Sequence, residues 1–364
     1  MNVLSVFLCI GGCEPSSGKT IVALAIALKL RELGYKVSYL KPIGQNITTT
    51  EDGSLVDEDA KLAVSVLELP LKPQELTPIL YHEDLTLKFM FKGLSEEAKA
   101  KIQTAAKAAS KDADVTIVEG MSRIFDGMST GASILDICKE LGGKLLQISF
   151  YEPQYVGDKL LLAKSLADKY GVKMIGAVVT GVDEALIPRF EWEVLPLIEQ
   201  GGIKVVGIVP LLRELTPLTA GEIASILNAE VIAARDHLDN VVKELLVGAW
   251  TVEKAMRYLR RAMDYALVTG GDRTDLLLAA LETPVSCLIL TGGFYPDQHV
   301  LTRAEEKGVP VVLSRFDTLT TTRRIDELAF RLDPSNIGRI KRIASSVSRR
   351  IDINAILESL SLQG

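Results

Sequence analysis

Short, nearly continuous apolar runs recur through more than half of the chain, and segments of helical character separate them. The runs are Val3–Ile10, Lys36–Leu40, Val115–Glu119, Lys144–Phe150, Lys173–Thr180 and Lys204–Pro210. Runs of this length that are apolar throughout, not alternately, predict strands buried on both faces, hence a parallel sheet covered by helices on each side. Ligands of such sheets lie beyond the carboxyl ends of the strands. The residues that follow strand ends therefore carry the interest: Lys41 after the second run, Glu119 closing the third and Thr180 closing the fifth. The stretch Leu69–Tyr81, with three prolines, reads as a loop leading to a helical insertion that ends near Ser110.

After Pro210 the texture changes. Leu215-Thr216-Pro217 reads as a linker, and Thr219 as a helix N-cap with Glu222 as its capping-box partner. A second, smaller α/β pattern then runs to about Phe330 and contains an internal echo. Ala266-Leu267-Val268-Thr269-Gly270-Gly271-Asp272 is matched by Leu288-Ile289-Leu290-Thr291-Gly292-Gly293-Phe294. A crossover helix from Asp272 to Leu281 would place both Thr-Gly-Gly turns on one edge of a sheet. Thr269, Gly270, Gly271, Asp272, Arg273, Thr291, Gly292 and Gly293 are then candidates for a small-anion or metabolite site. The plainer alternative is that the glycines only turn strands tightly into helices, with Asp272 as N-cap and Arg273 paired to a carboxylate. From Ser335 to Gly364, Arg339, Lys341, Arg342, Arg349 and Arg350 interleave with Ile337, Ile340, Ile343, Val347, Ile351 and Ile356. That pattern predicts one or two amphipathic helices, docked on the second domain or on a partner subunit. The expected division is 1–214, 215–333 and 334–364.

Composition narrows the class. The 364 residues are 48% hydrophobic, which excludes a disordered chain, and the formal charge of −6 argues against a nucleic-acid partner. No apolar run reaches the roughly 18 residues that span a bilayer. The opening run has no basic flank and leads directly into a glycine-rich loop, so it reads as a core strand and not a signal peptide. Cys9, Cys13, Cys138 and Cys287 form no Cys-x-x-Cys pair and the three histidines are isolated, so metal-site spacing is absent. Buried thiols of a cytoplasmic protein are the expectation, with Cys13, near a helix N-terminus, the exception to watch.

The chemistry concentrates in Gly11-Gly12-Cys13-Glu14-Pro15-Ser16-Ser17-Gly18-Lys19-Thr20, between a strand and the helix-forming run Ile21–Leu33. Backbone N–H groups of such a loop wrap a polyphosphate, the lysine neutralises it and the threonine hydroxyl can hold Mg²⁺. Gly12, Cys13, Glu14, Ser16, Ser17, Gly18, Lys19 and Thr20 are the candidate contacts. The spacing is unusual: Cys13 stands where the first glycine normally does, and Gly12 lies one residue further out.

This longer loop resembles that of the dethiobiotin synthetase-like P-loop enzymes. Lys41-Pro42-Ile43 is similar to their second strand end, where a lysine reaches the reaction centre, which implies a catalytic role for Lys41 beside Lys19. Asp57-Glu58-Asp59-Ala60 resembles their acidic segment and Val118-Glu119-Gly120 the end of their third strand, which implies Mg²⁺ held by Thr20, Asp59 and Glu119. Thr180 and, ending the next strand, Pro210 complete the implied ATP contacts, although Val179-Thr180-Gly181 replaces the family's adenine-reading Asn. Gly44-Gln45-Asn46 also replaces the Ser-Gly that helps bind the amine substrate, which argues against biotin-pathway chemistry. Glu14-Pro15-Ser16-Ser17 and Lys41–Gln45 look more like the N-terminal domain of long phosphate acetyltransferases. Thr269-Gly270-Gly271-Asp272-Arg273-Thr274-Asp275 resembles the signature of the DRTGG domain that follows it there. The resemblance implies an α/β P-loop NTPase domain followed by a smaller α/β DRTGG-type domain, as a freestanding regulatory and oligomerising half. It implies ATP–Mg²⁺ binding with slow or no hydrolysis, a small-metabolite effector, a homo-oligomer and a partner enzyme of acetate metabolism. The alternatives are an ATP-dependent ligase of the dethiobiotin synthetase or cobyrinic acid type, and a non-hydrolysing scaffold.

Overall fold

The structure is a computed structural model and describes residues 5–50, 52–81, 96–211, 217–248, 251–329 and 336–362. The chain forms two compact units, Met1–Leu211 with Asp333–Gly364, and Leu212–Leu332. The expected linker Leu215-Thr216-Pro217 lies outside the described residues up to Thr216.

The first unit is built on strands β1 (Val6–Gly12), β2 (Val37–Leu40), β3 (Val115–Glu119), β4 (Lys144–Phe150), β5 (Met174–Val182) and β6 (Val205–Pro210). They form one sheet in the order β6-β5-β4-β1-β3-β2, and every pairing is parallel. Leu8, Cys9, Ile10, Val115, Ile117, Leu145 and Ile148 are fully buried, as strands covered on both faces must be. Strand order reverses around β1, so the carboxyl end of β1 opens at the crevice where such sheets take their ligands. Around the sheet lie α1 (Lys19–Glu32), α2 (Glu58–Leu67), α3 (Glu96–Ser110), α4 (Ile134–Glu140), α5 (Val156–Tyr170) and α6 (Leu195–Gln200). The proline-rich stretch expected as loop carries a short helix, Pro73–Leu76, and a two-residue strand, Ile79–Leu80.

Helix α1 explains the fate of the C-terminal residues. Ile21 through Ala27 are all buried, so the helix is apolar on every side and needs a cover on the face away from the sheet. The second unit lies between as α7 (Ala220–Leu227), α8 (Val252–Leu259), α9 (Thr274–Leu281), α10 (Gln298–Lys307) and α11 (Thr318–Ala329). After it come α12 (Ile337–Ser348) and α13 (Ile353–Leu360), and α12 packs along α1 with Ile340, Ile343, Ala344 and Val347 buried. Burying each large aliphatic side chain contributes about 1.5–3 kcal/mol. Asp352 N–H donates to Val206 O at 2.7 Å, and Lys341 pairs with Glu68 at 2.8 Å. The expected docking on the second domain or a partner is therefore corrected: these helices are part of the first unit.

In the second unit β7 (Glu230–Ala233), β8 (Glu244–Val247), β9 (Tyr265–Gly270), β10 (Val285–Thr291) and β11 (Val311–Leu313) form a sheet in the order β7-β11-β10-β9-β8. Only β7 runs antiparallel to its neighbour. Tyr265, Leu267, Leu288 and Leu290 fill one face, and Ala266, Val268, Cys287 and Ile289 the other. Thr219 caps α7, and Glu222 completes the capping box. Gly270 stands in register with Thr291, so the two Thr-Gly-Gly turns do share an edge. The helix start differs from expectation: Arg273, not Asp272, occupies the N-cap position of α9, and it makes no side-chain cap bond there. Among the described residues no helix is long and apolar enough to cross a membrane.

Candidate functional site

The loop between β1 and α1 is held from below and from both sides. Gly18 caps α1 in the left-handed region at φ 86°, a conformation that favours glycine, and it turns the loop into the helix. Cys13 N–H donates to Ile148 O at 2.9 Å, and Ile124 N–H to Gly12 O at 2.7 Å. Thr180, buried beneath the loop, donates its hydroxyl to Ser17 O at 2.7 Å. Glu14 accepts from Phe150 N–H and pairs with Lys159 at 2.7 Å, which ties the loop to β4 and α5. Thr180 and Glu14 thus brace the loop from the protein side. Pro210 is buried at the end of β6, beside Val182 of β5.

Lys19 curls back over Gly12 and donates to Ser122 O at 3.0 Å. A Cβ on Gly12 would lie 2.7 Å from Lys19 Nζ and 2.8 Å from Ser122 O, so only glycine admits the lysine here. Burial pulls the Lys19 ammonium below its ordinary pKa, against the opposing attraction of Glu119. The Ser17 hydroxyl is fully buried and has no hydrogen-bond partner among the described residues. An orphaned buried hydroxyl costs about 1–3 kcal/mol, so a phosphoryl oxygen received by this loop would satisfy it. The loop fits the group its sequence implies.

Beside it, α2 and the ends of β2 and β3 assemble a compact charged cluster. The Thr20 hydroxyl lies 2.9 Å from Glu119 Oε1 and 3.1 Å from Asp59 Oδ1. Lys41 Nζ lies 2.8 Å from Asp59 Oδ2 and 2.9 Å from Glu119 Oε1. Tyr39, fully buried, donates to Glu119 Oε2 at 2.8 Å. Asp57 caps α2, accepting from the N–H groups of Asp59 and Ala60. Burial would lower the Lys41 pKa, but Glu119, Asp59 and Asp57 overcome it and hold it well above the ordinary lysine range. Burial would raise Asp59, and Lys41 holds it below the usual carboxylate value. Burial lifts Asp57 to about 6, partly countered by Lys41.

The structure thus brings Thr20, Asp59 and Glu119, the three residues that the family resemblance implied, to one point. Two carboxylates and a hydroxyl are hard oxygen donors of the kind Mg²⁺ accepts, with water and phosphate supplying its remaining ligands. Among the described residues no cluster of three or more His, Cys, Asp or Glu side chains forms a self-sufficient metal site. Lys41 is bonded to both carboxylates and lies near enough to Lys19 for the two ammonium groups to repel each other. Cys13 is not an activated thiol: burial pushes it up to about 11, and Gln147 donates to its sulfur at 3.4 Å. Sequence reasoning missed Tyr39, Gln45 and Ser122. Gln45 Oε1 accepts from both the N–H and the hydroxyl of Ser122 at 2.9 Å, which fixes the carbonyl that Lys19 meets. The available signal for Tyr39 was its polar tip in an apolar strand, two residues before Lys41.

The Thr-Gly-Gly edge is arranged differently. Gly292 N–H donates to Phe316 O and Gly293 N–H to Ser314 O, at 2.8 and 2.9 Å. The Thr291 and Thr318 hydroxyls bond each other at 3.0 Å, and Thr269 donates to Gly248 O at 3.3 Å. Gly271 packs so close to Phe294 that a Cβ would lie 1.9 Å from its carbonyl oxygen. Arg273 lies 3.6 Å from Asp275 and 3.5 Å from Gly248 O. The glycine amides of the second turn are bonded within the unit, as the plainer alternative has them, whereas the N-cap position belongs to Arg273 and not Asp272.

A strand–loop–helix cradle with a buried lysine, at the crevice of a parallel sheet, defines a P-loop nucleotide-binding class of protein. The chain belongs to the AAA domain family, whose model matches residues 7–219, and a DRTGG domain follows over residues 222–328. It is 22% identical over 364 residues to a phosphate acetyltransferase of Synechocystis, with 95% of this chain and 50% of that protein covered. A phosphate acetyltransferase of Pseudomonas aeruginosa is 25% identical over 361 residues, covering 92% of this chain and 49% of its own length. ATP-dependent dethiobiotin synthetase BioD of Bacillus cereus is 27% identical over 195 residues, 53% of this chain and 78% of that enzyme. The chain thus spans about half the length of the acetyltransferases it matches, corresponding to their N-terminal half.

Proposed function

We propose that the first unit binds ATP with Mg²⁺ on Gly12–Thr20 and that the chain acts as a nucleotide-responsive regulatory module. The observation that carries this reading is Lys19, buried over Gly12 beside the orphaned Ser17 hydroxyl. Thr20, Asp59 and Glu119 would hold the ion, which would offset charge on the β- and γ-phosphates. Regulation is preferred to transfer because Lys41 is tied down at 2.8 and 2.9 Å by two carboxylates. A lysine that steadies a moving phosphoryl group must point at the charge that develops. The relatives matched along nearly the whole chain support a role in acetyl-phosphate or acetyl-CoA metabolism, with the DRTGG unit as the regulatory and assembling part. The similarity to dethiobiotin synthetase supports a second reading, an ATP-dependent ligase.

Calorimetry with ATP, ADP and GTP, with and without Mg²⁺, tests the first reading. Wild type binds ATP in a Mg²⁺-dependent manner, and Lys19→Ala loses at least 100-fold in affinity. Equal binding by both proteins overturns it. Phosphate release in the presence of candidate carboxylates and amines separates regulator from ligase, since substrate-stimulated turnover belongs only to the ligase.

A further inference from the structure

Every oxygen of the Asp59 and Glu119 carboxylates lies within hydrogen-bonding distance of a donor. Asp59 Oδ1 takes the Thr20 hydroxyl, and Asp59 Oδ2 takes Lys41 with Asn46 Nδ2 at 3.3 Å. Glu119 Oε1 takes Lys41 and lies 2.9 Å from the Thr20 hydroxyl, whose one proton serves one carboxylate at a time, and Glu119 Oε2 takes Tyr39. The Lys41 ammonium therefore stands between the two carboxylates, at hydrogen-bonding distance from both. Its side chain is 5% exposed and that of Glu119 is 1%, so this pairing is screened little by water. With Lys19 alongside, two ammonium groups face Asp59 and Glu119 and offset their attraction for a divalent ion, while Asp57, turned to the backbone as the cap of α2, adds a third carboxylate near Lys41.

We infer that Lys41 is a built-in counter-ion that denies the Asp59–Glu119 pair to divalent metal until a polyphosphate enters the loop. This rests on the reading that the loop takes a nucleotide together with Mg²⁺. A polyphosphate adds several negative charges beside Lys19 and shifts the local balance, so that a divalent ion bridging phosphate and carboxylate becomes favourable. Metal then arrives with the nucleotide and not before it. Tyr39 and Asn46 act as positioning residues, holding the carboxylates in place while the cation between them changes. Lys41 has a different task from Lys19: it guards the metal position, whereas Lys19 binds phosphate.

Mn²⁺ is the probe, followed by electron paramagnetic resonance on the full chain. Nucleotide-free wild type takes up Mn²⁺ at least 30-fold more weakly than the same protein with ADP present. In Lys41→Gln the carboxylates lose their ammonium, and nucleotide-free affinity for Mn²⁺ rises at least tenfold over wild type. Lys41→Arg, which keeps the charge, stays near wild type. Lys41→Gln combined with Asp59→Asn loses the gain, which assigns the bound ion to this pair. Nucleotide-free wild type that binds Mn²⁺ within threefold of the ADP-loaded protein overturns the inference, and this arm needs no variant to fold. Lys41→Gln that folds by circular dichroism yet binds Mn²⁺ no better than wild type also overturns it. A failure of ATP binding in the Lys19 experiment removes the nucleotide reading alone, because the nucleotide-free comparison of wild type with Lys41→Gln does not depend on it.

Discussion

The two units present the same device twice and use it differently. In each, a buried parallel strand ends in glycines and turns into a helix at the carboxyl edge of a sheet. At the first edge the polar groups outnumber what the backbone can satisfy. Among the described residues Ser17 is left without a partner, and the buried Lys41 and Glu119 pair with each other beside the buried Lys19 and Asp57. At the second edge Gly292, Gly293, Thr269, Thr291 and Ser314 all find partners within their own unit. A glycine-rich turn alone therefore says little about ligand binding. Buried charge does, because burying an ion without a partner costs several kcal/mol and persists only where the cluster is organised around it.

The sharpest way to break this contrast is Glu119→Ala. It removes a partner from Lys41, Thr20 and Tyr39 together and leaves an ammonium buried against Asp59 alone. Disrupting a buried ion pair in this way costs about 3–5 kcal/mol. Urea unfolding, with hydrogen exchange read separately in α1 and α9, should show the loss in the first unit only. A loss below about 1 kcal/mol would mean that the cluster is solvated and the contrast false.

Next in size is a pH effect confined to the first edge. Burial raises the folded-state pKa of Asp57 from the ordinary 3.8 to about 6, so the folded protein holds this proton more tightly than the unfolded chain. The contribution is most favourable below about 4, is lost as pH rises towards 6 and stays lost above it. The shift corresponds to about 3 kcal/mol. Asp57→Asn keeps an N-cap acceptor for α2 but cannot ionise. Its stability relative to wild type should rise by about 2 kcal/mol between pH 4 and pH 6, and by the remainder outside that window, measured by urea titration. Parallel curves would show that Asp57 titrates normally.

Gly271→Ala probes the second edge. Its Cβ would lie 1.9 Å from the Phe294 carbonyl oxygen, and backbone has little room to retreat. Overpacking of this kind costs about 1–3 kcal/mol. Exchange should accelerate in α9 and β10, with ATP affinity unchanged within twofold. A tenfold fall in ATP affinity would join the two edges into one functional site.

The sequence made the first edge legible where its chemistry is contiguous. Gly12 to Thr20 must lie next to one another to wrap a phosphate, so strand, loop and helix could be recognised together, and the six apolar runs predicted the sheet. Asp59 and Glu119 came from resemblance, since nothing local shows that residues 60 apart meet at Thr20. Tyr39, Gln45 and Ser122 stayed hidden because only the strand order β1-β3-β2 brings the segments after β2 and β3 to the loop that follows β1. For Lys41, position was legible and role was not, because a lysine at a strand end looks the same whether it faces solvent, phosphate or two carboxylates. The C-terminal helices were legible as amphipathic. Their docking site was signalled only by the all-round apolar surface of α1, which asked for a cover without naming it. At the second edge the Thr-Gly-Gly echo gave the topology, but not the bonds that Gly292 and Gly293 make to Phe316 and Ser314.

The smallest expected effect is also the most direct comparison, a threonine at each edge. Thr291 is buried, and its hydroxyl meets that of Thr318 at 3.0 Å; Thr318 is only half-buried and can turn to water if the partner is lost. Thr291→Val keeps shape and volume, so it should cost about 1 kcal/mol, the net value of one neutral hydrogen bond. ATP affinity should be unchanged with and without Mg²⁺. Thr20→Val makes the same exchange beside Asp59 and Glu119, where the hydroxyl lies within hydrogen-bonding distance of both carboxylates and is a proposed metal ligand. There stability should change by a similar small amount, whereas the Mg²⁺-dependent part of ATP binding should fall at least tenfold. Calorimetry with and without Mg²⁺ on both variants decides it: a Mg²⁺-dependent loss in both, or in neither, would erase the proposed distinction between the two edges.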